Sequence, residues 1–145
     1  MKFFKTALCL VSALIFLAAC SKTDSTPEKT LITKWFNVSK TVLDHYNNTF
    51  NNYPLSGNTY LELKTNNQAY AYYSETGQAV STATGTWTQI DDTHIQLNWT
   101  SGTGTFTPTS TTFTIMTFTN SALVLQYQWN NGVGRLYTQT EYFTR

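Results

Sequence analysis

The sequence predicts an all-β fold, an eight-stranded antiparallel up-and-down barrel, and three observations predict it. Aromatic residues make up 15% of the chain and charged residues only 12%, with many Thr and Asn. That balance suits pleated, half-buried surfaces better than solvated helices. Short segments of alternating apolar and polar residues recur with turn residues between them. The connections are short and no segment offers a crossover helix, so neighbouring strands run antiparallel. Eight such strands protect their edges by closing on themselves.

The elements follow in order. Ile32 to Lys40 is the first strand. Thr41 to Tyr46 reads two ways: Val38, Val42 and Tyr46 would line one face of a helix, while the β-branched residues also suit a bent strand. Asn47 to Asn58, rich in Asn and holding Pro54, reads as a loop. Tyr60 to Lys64 alternates Tyr-Leu-Glu-Leu-Lys. Asn66-Asn67 turns the chain into Gln68 to Tyr73, and Glu75-Thr76-Gly77 ends that strand. Ala83 to Ile90 follows, with a tight turn at Asp91-Asp92. Thr93 to Thr100 places Ile95, Leu97 and Trp99 on one face. Ser101 to Gly104 reads as a flexible tip. Thr111 to Phe118 leads through Thr119-Asn120-Ser121 to Ala122–Trp129, which sets Leu123, Leu125, Tyr127 and Trp129 on one face. Asn131-Gly132 is the strongest hairpin signal, suited to a type I′ turn, and Gly134 suits a bulge. Arg135 to Thr144 is the last strand.

Ahead of these strands stands a leader. Lys2 and Lys5 precede an apolar run from Ala7 to Leu17, then Ala18, Ala19 and Cys20. Those are the dimensions of a secretory signal, too short for a membrane span. Leu17-Ala18-Ala19-Cys20 resembles a bacterial lipobox. The resemblance implies cleavage before Cys20, leaving 1–19 as signal peptide, and a diacylglycerol on the Cys20 thiol. Ser21 after the cysteine implies sorting to the outer membrane, with either face open. The competing reading is an ordinary signal peptide with a chance cysteine. Residues 20–30 then form a lipidated cysteine and polar tether, and 31–145 the domain. The ten or so tether residues span at most ~35 Å. Asp24-Ser25-Thr26 resembles a bacterial O-glycosylation acceptor, although a plain tether explains the same residues.

Charge and cysteines narrow the partners. The chain has nine basic and eight acidic residues, and the leader takes Lys2 and Lys5 with it. A near-neutral domain lacks the basic footprint for nucleic acid or an anionic bilayer surface. Cys9 leaves with the leader and Cys20 carries the lipid, so no disulfide is expected in the domain.

Three motifs then resemble the lipocalin-like domains of secreted bacterial lipoproteins. They are Leu31-Ile32-Thr33-Lys34-Trp35, with Thr33 where that family has Gly; Gly85-Thr86-Trp87 followed by Asp91-Asp92 and Ile95-Gln96-Leu97; and Glu141-Tyr142-Phe143-Thr144-Arg145 at the end. Together they span 31–145. The resemblance implies a lipocalin-like barrel in which Trp35 and Arg145 pack at the closed end, a structural pair rather than a binding one.

No catalytic set assembles along the chain. His45 and His94 are far apart with no cysteine or compact acidic cluster near them, so no metal is expected. Glu62 and Glu141 fit a general acid and base only if they converge, and their polar strand positions favour exposure. No nucleophile elbow or P-loop lysine is present, and no cofactor is implied. The aromatics and aliphatics remain. One expectation is a barrel cavity lined by Leu61, Leu63, Trp87, Ile95, Leu97, Trp99, Leu123, Leu125 and Tyr127, holding one small hydrophobic or amphipathic ligand. The other is a filled barrel that binds glycan or protein through exposed tyrosines such as Tyr70 and Tyr72 and Asn-rich loops.

Overall fold

A computed structural model describes residues 30–55, 58–74, 79–104 and 108–145. The leader, Cys20, Ser25 and the Glu75-Thr76-Gly77 turn lie outside the described residues. The strands are β1 (Lys34–Asp44), β2 (Thr49–Pro54), β3 (Tyr60–Leu63), β4 (Gln68–Tyr73), β5 (Ser81–Asp91), β6 (His94–Gly102), β7 (Thr109–Phe118), β8 (Ala122–Asn130) and β9 (Leu136–Thr144). All pairings are antiparallel. From β3 to β9 each strand pairs with the next, and β1 pairs with both β3 and β9. That ring is an eight-stranded, closed, up-and-down barrel, consistent with a lipocalin-like architecture.

In the first third of the chain one open alternative is decided and one expectation is corrected. The segment after Lys40 is strand and not helix: β1 runs unbroken to Asp44, held on both edges. The Asn47–Asn58 stretch is not all loop, because Thr49–Pro54 forms β2 and pairs with Ser39–Asp44. Asn and Pro are poor strand formers, but the long β1 supplies a ready edge. Pro54 sits at the terminus of β2, where a missing N–H matters least. β2 lies along the same edge of β1 as β3, beyond it, so the barrel wall continues upward as β2–β1–β9–β8.

Turn chemistry decides the hairpins. Asp44 accepts hydrogen bonds from the Tyr46 and Asn47 backbone N–H groups at 2.9 and 3.3 Å and closes the β1–β2 turn. Asn131-Gly132 does lie in a hairpin, but not as a two-residue turn. Asn130 pairs with Leu136, and the loop between them takes its positive φ at Gly132 and Gly134 (82° and 86°). The Asn131 side chain instead accepts from the Val133 and Arg135 N–H groups, which favours the wider loop. Gly134 therefore serves the loop rather than a bulge, and Ser101-Gly102 belongs to β6 rather than to a flexible tip.

The core fills the lower barrel. Trp35, Leu61, Leu63, Trp87, Ile95, Leu97, Leu123 and Leu125 are all buried there. Ladder partners share a face, so the interior can be followed from strand to strand. Four register shifts interrupt the alternation, at Val38, Ile90, Thr100 and Met116. Three of these extra residues, Val38, Ile90 and Met116, are exposed hydrophobics. Each extra residue switches which alternate residues after it face inward.

Candidate functional site at the barrel mouth

One end of the barrel is closed. Trp35 is fully buried, donates its indole N–H to the Leu31 carbonyl at 3.0 Å, and meets Phe118 edge-on. The Arg145 guanidinium lies 5.4 Å from the Trp35 ring centre and bonds the Asn120 carbonyl. Trp87 donates to the Lys64 carbonyl at 2.9 Å and so ties β5 to the β3–β4 turn. These contacts pack and tie this end together. Arg145→Ala is expected to lower stability by about 1 kcal/mol, read from a shifted denaturant midpoint with an unchanged slope.

The β5–β6 turn also belongs to this end. Asp91 accepts from the Thr93 hydroxyl and backbone N–H at 2.8 and 2.7 Å, and faces His94 Nδ1 at 3.0 Å. The Thr93 bonds, then His94, hold the Asp91 carboxyl down at about 2, from an ordinary 3.8. A depressed folded value stabilises above the unfolded value and is lost as pH falls through the folded one. Asp91→Asn is therefore expected to flatten the acid limb of the stability profile between about pH 4 and pH 2. Thermal melts at stepped pH read this; an unchanged acid limb would contradict it. Asp91-Asp92 is thus a turn former.

The opposite end is the mouth, and it is concave. The β1 register places Lys40 across from Glu141, Val42 from Gln139 and Asp44 from Tyr137, while β2 sets Tyr53, Asn51 and Thr49 across from the same three β1 residues. β8 sets Leu125, Tyr127 and Trp129 across from Glu141, Gln139 and Tyr137. Leu125 is core, so this whole set faces inward. It encloses a hollow of about 390 Å³ lined by Lys40, Val42, Asp44, Thr49, Asn51, Tyr53, Trp129, Tyr137 and Gln139.

Within the hollow the Trp129 and Tyr137 rings stack at 4.4 Å and 14°. Lys40 Nζ lies 5.7 Å from the Tyr53 ring centre. At the rim Arg135 lies 4.4 Å over Tyr46. Burial pushes the Asp44 carboxyl up, but its bonds to Tyr46, Asn47 and the Asn47 amide outweigh that and hold it below the ordinary value. It is a turn-forming anion, already engaged.

Below the hollow lies a buried carboxylate. Glu141 is 7% exposed and accepts from Asn37 Nδ2 and Gln139 Nε2, each at 2.8 Å. Burial, and then the Glu141 charge, pushes the Tyr73 and Tyr127 hydroxyls well above the usual tyrosine range. The expected exposure of Glu141 is corrected here, because its strand position faces the interior. Glu62 is the ladder neighbour of Lys34 on the outer wall and sits 3.8 Å from Lys64. The two glutamates lie on opposite faces of the wall and do not converge as an acid–base pair.

The residues expected to line a ligand cavity are placed lower. Leu61, Leu63, Trp87, Ile95, Leu97, Leu123 and Leu125 are buried against one another, with Trp99 and Tyr127 packed on them. The enclosed space beside Leu61, Leu97, Trp99, Leu125 and Glu141 is about 20 Å³. That holds one water and not a ligand of drug size, which needs several hundred cubic ångströms. Of the mouth-lining set, the sequence marks Trp129 as the last residue on the apolar face of its strand, with Leu123, Leu125 and Tyr127.

On the outer wall, Phe36, Tyr60, Tyr70 and Tyr72 form a run of rings. Tyr60 stacks on Tyr72 at 5.5 Å and 13°, and Lys34 Nζ sits 4.0 Å over Tyr60. A hollow of about 300 Å³ opens beside Phe36, Asn58, Tyr60 and Tyr72. His45 bonds Thr138 near the mouth and His94 sits at the opposite end. Among the described residues no group of three His, Cys, Asp or Glu side chains is placed to hold a metal. No protein-family model matches the sequence, and no curated protein matches it.

Proposed function

We propose that this protein is a lipid-anchored, non-enzymatic binding protein of the bacterial outer membrane. It captures a small amphipathic molecule at the mouth of its barrel rather than deep inside. The observation that carries the reading is the contrast in volume: about 390 Å³ at the mouth against about 20 Å³ in the core beneath it. Barrel mouths are a favoured place for ligands, and a few polar groups around apolar surface fix orientation. The leader and Cys20 support the anchor, which needs two acyl chains to hold stably.

Native mass spectrometry of the full chain, purified from bacterial membranes, tests the reading. A co-purified small molecule should disappear in Trp129→Ala and persist in Tyr72→Ala. The outer-wall rings support a second reading, a surface module that binds through Phe36, Tyr60 and Tyr72. Loss of the bound species in Tyr72→Ala, with retention in Trp129→Ala, would favour that reading instead.

A further inference from the structure

The chemistry of the mouth narrows the ligand class. The hollow is open to solvent, and the space beside Leu125 and Glu141 beneath it is only about 20 Å³. An alkyl chain laid there would keep much of its length in water, whereas tight small-molecule sites bury most of the ligand. It would also cover Asn51, Thr49 and the Tyr53 hydroxyl without giving them partners. Leaving polar groups desolvated and unpaired is unfavourable. A wholly apolar ligand therefore suits the hollow badly.

The charges argue in the same direction. Asp44 is engaged by its own turn. Lys40 stands directly across the ladder from Glu141 on the same face. At the rim, Arg135 lies over Tyr46 and contributes to holding the Asp44 carboxyl low. Among the described residues, each charge lining the hollow or its rim thus has an opposite charge near it, so these side chains present a charged ligand with no unbalanced field. What the hollow does offer is a flat aromatic pair with Trp129 38% exposed. Amides and hydroxyls at Asn51, Gln139, Thr49 and Tyr53 surround that pair.

A flat, weakly apolar face bordered by neutral donors and acceptors matches one common ligand chemistry. Pyranose rings present C–H groups on their faces and hydroxyls at their edges. We infer that the mouth binds a neutral carbohydrate, with one ring laid on Trp129 and its hydroxyls on the side chains of Asn51 and Gln139. The inference rests on the mouth being the binding site, and it adds the class of ligand.

The test is a titration of the full chain with cellotetraose, N-acetylchitotetraose, tetragalacturonate and laurate, followed by the Trp129 indole N–H resonance. At least one neutral tetrasaccharide should shift that resonance saturably, with a Kd on the order of 1 mM or tighter. Tetragalacturonate should bind at least about tenfold more weakly. Asn51→Ala, on the exposed edge strand where folding is least at risk, should weaken the neutral sugar about tenfold. Tyr72→Ala on the outer wall should leave it unchanged. Laurate shifting Trp129 while both neutral sugars leave it still would overturn the carbohydrate inference and leave the mouth reading intact. Sugar-dependent shifts confined to Tyr60 and Tyr72 would overturn both. Equal binding of tetragalacturonate would overturn the claim of neutrality.

Discussion

Gly85→Ala is expected to lower stability by at least about 3 kcal/mol, at the upper end of what overpacking does. A Cβ on Gly85 would overlap the Asn98 carbonyl oxygen and lie 2.8 Å from the Asn98 carbonyl carbon and 2.9 Å from the Trp99 Cα. Every one of those atoms is backbone, so no side chain can swing aside. The clash falls where β5 and β6 shift register between Thr84 and Gly85, and relief would require the two strands to part. Domains hold only about 5–15 kcal/mol in all. The melting temperature should fall by roughly 10 °C or more. An unchanged melting temperature would contradict the close approach of β5 and β6.

Trp35→Ala is expected to act about as strongly, by about 3–5 kcal/mol. The ring is fully buried, and its loss would open a cavity under Phe118 and Arg145. The Leu31 carbonyl would also lose its indole partner, and an orphaned buried acceptor adds its own penalty. Trp35→Phe separates the two contributions, since it keeps most of the apolar area and removes only the N–H donor. Denaturant melts should therefore place Trp35→Phe well between wild type and Trp35→Ala. Equal midpoints for the two variants would mean the hydrogen bond, and not the packing, dominates.

The barrel was legible in the sequence because alternation in β3, β6 and β8 is clean. Tyr-Leu-Glu-Leu, His-Ile-Gln-Leu-Asn-Trp and Leu-Val-Leu-Gln-Tyr-Gln-Trp each put one residue in two inside. Trp35 and Gly85-Thr86-Trp87 stand out instead by their resemblance to motifs of lipocalin-like domains. The mouth was not legible, for a reason that lies at Val38. An extra residue there, between Asn37 and Ser39, moves every later β1 side chain to the opposite face. Lys40, Val42 and Asp44 point inward only because of it. Read without the bulge, Lys40 belongs outside. Glu141 shares the inward face with Phe143 in its own strand, but its charge and polar neighbours favour the surface in a one-dimensional reading. β2 was hidden differently. Its six residues are all exposed, so no apolar pattern advertises a strand, and only pairing with β1 makes one.

The aromatic residues, 15% of the chain, serve two places. Trp35, Trp87 and most of Trp99 serve the core. Trp129, at the end of the same alternating strand that begins with Leu123, has passed above the packed interior and stacks on Tyr137 instead. Position along the strand, not residue type, separates the two roles, and a one-dimensional pattern does not carry barrel height.

Ligand binding at the mouth, above the packed core, is tested directly by a map of the bound state. The full chain, labelled at Leu, Ile and Val methyls and at indole N–H groups, would be titrated with cellotetraose and with laurate. Binding at the mouth predicts shifts at Trp129 and Val42, with Ile95, Leu97 and Leu125 unmoved. Shifts at Leu97 and Leu125 with Trp129 silent would show a ligand entering the core and contradict it.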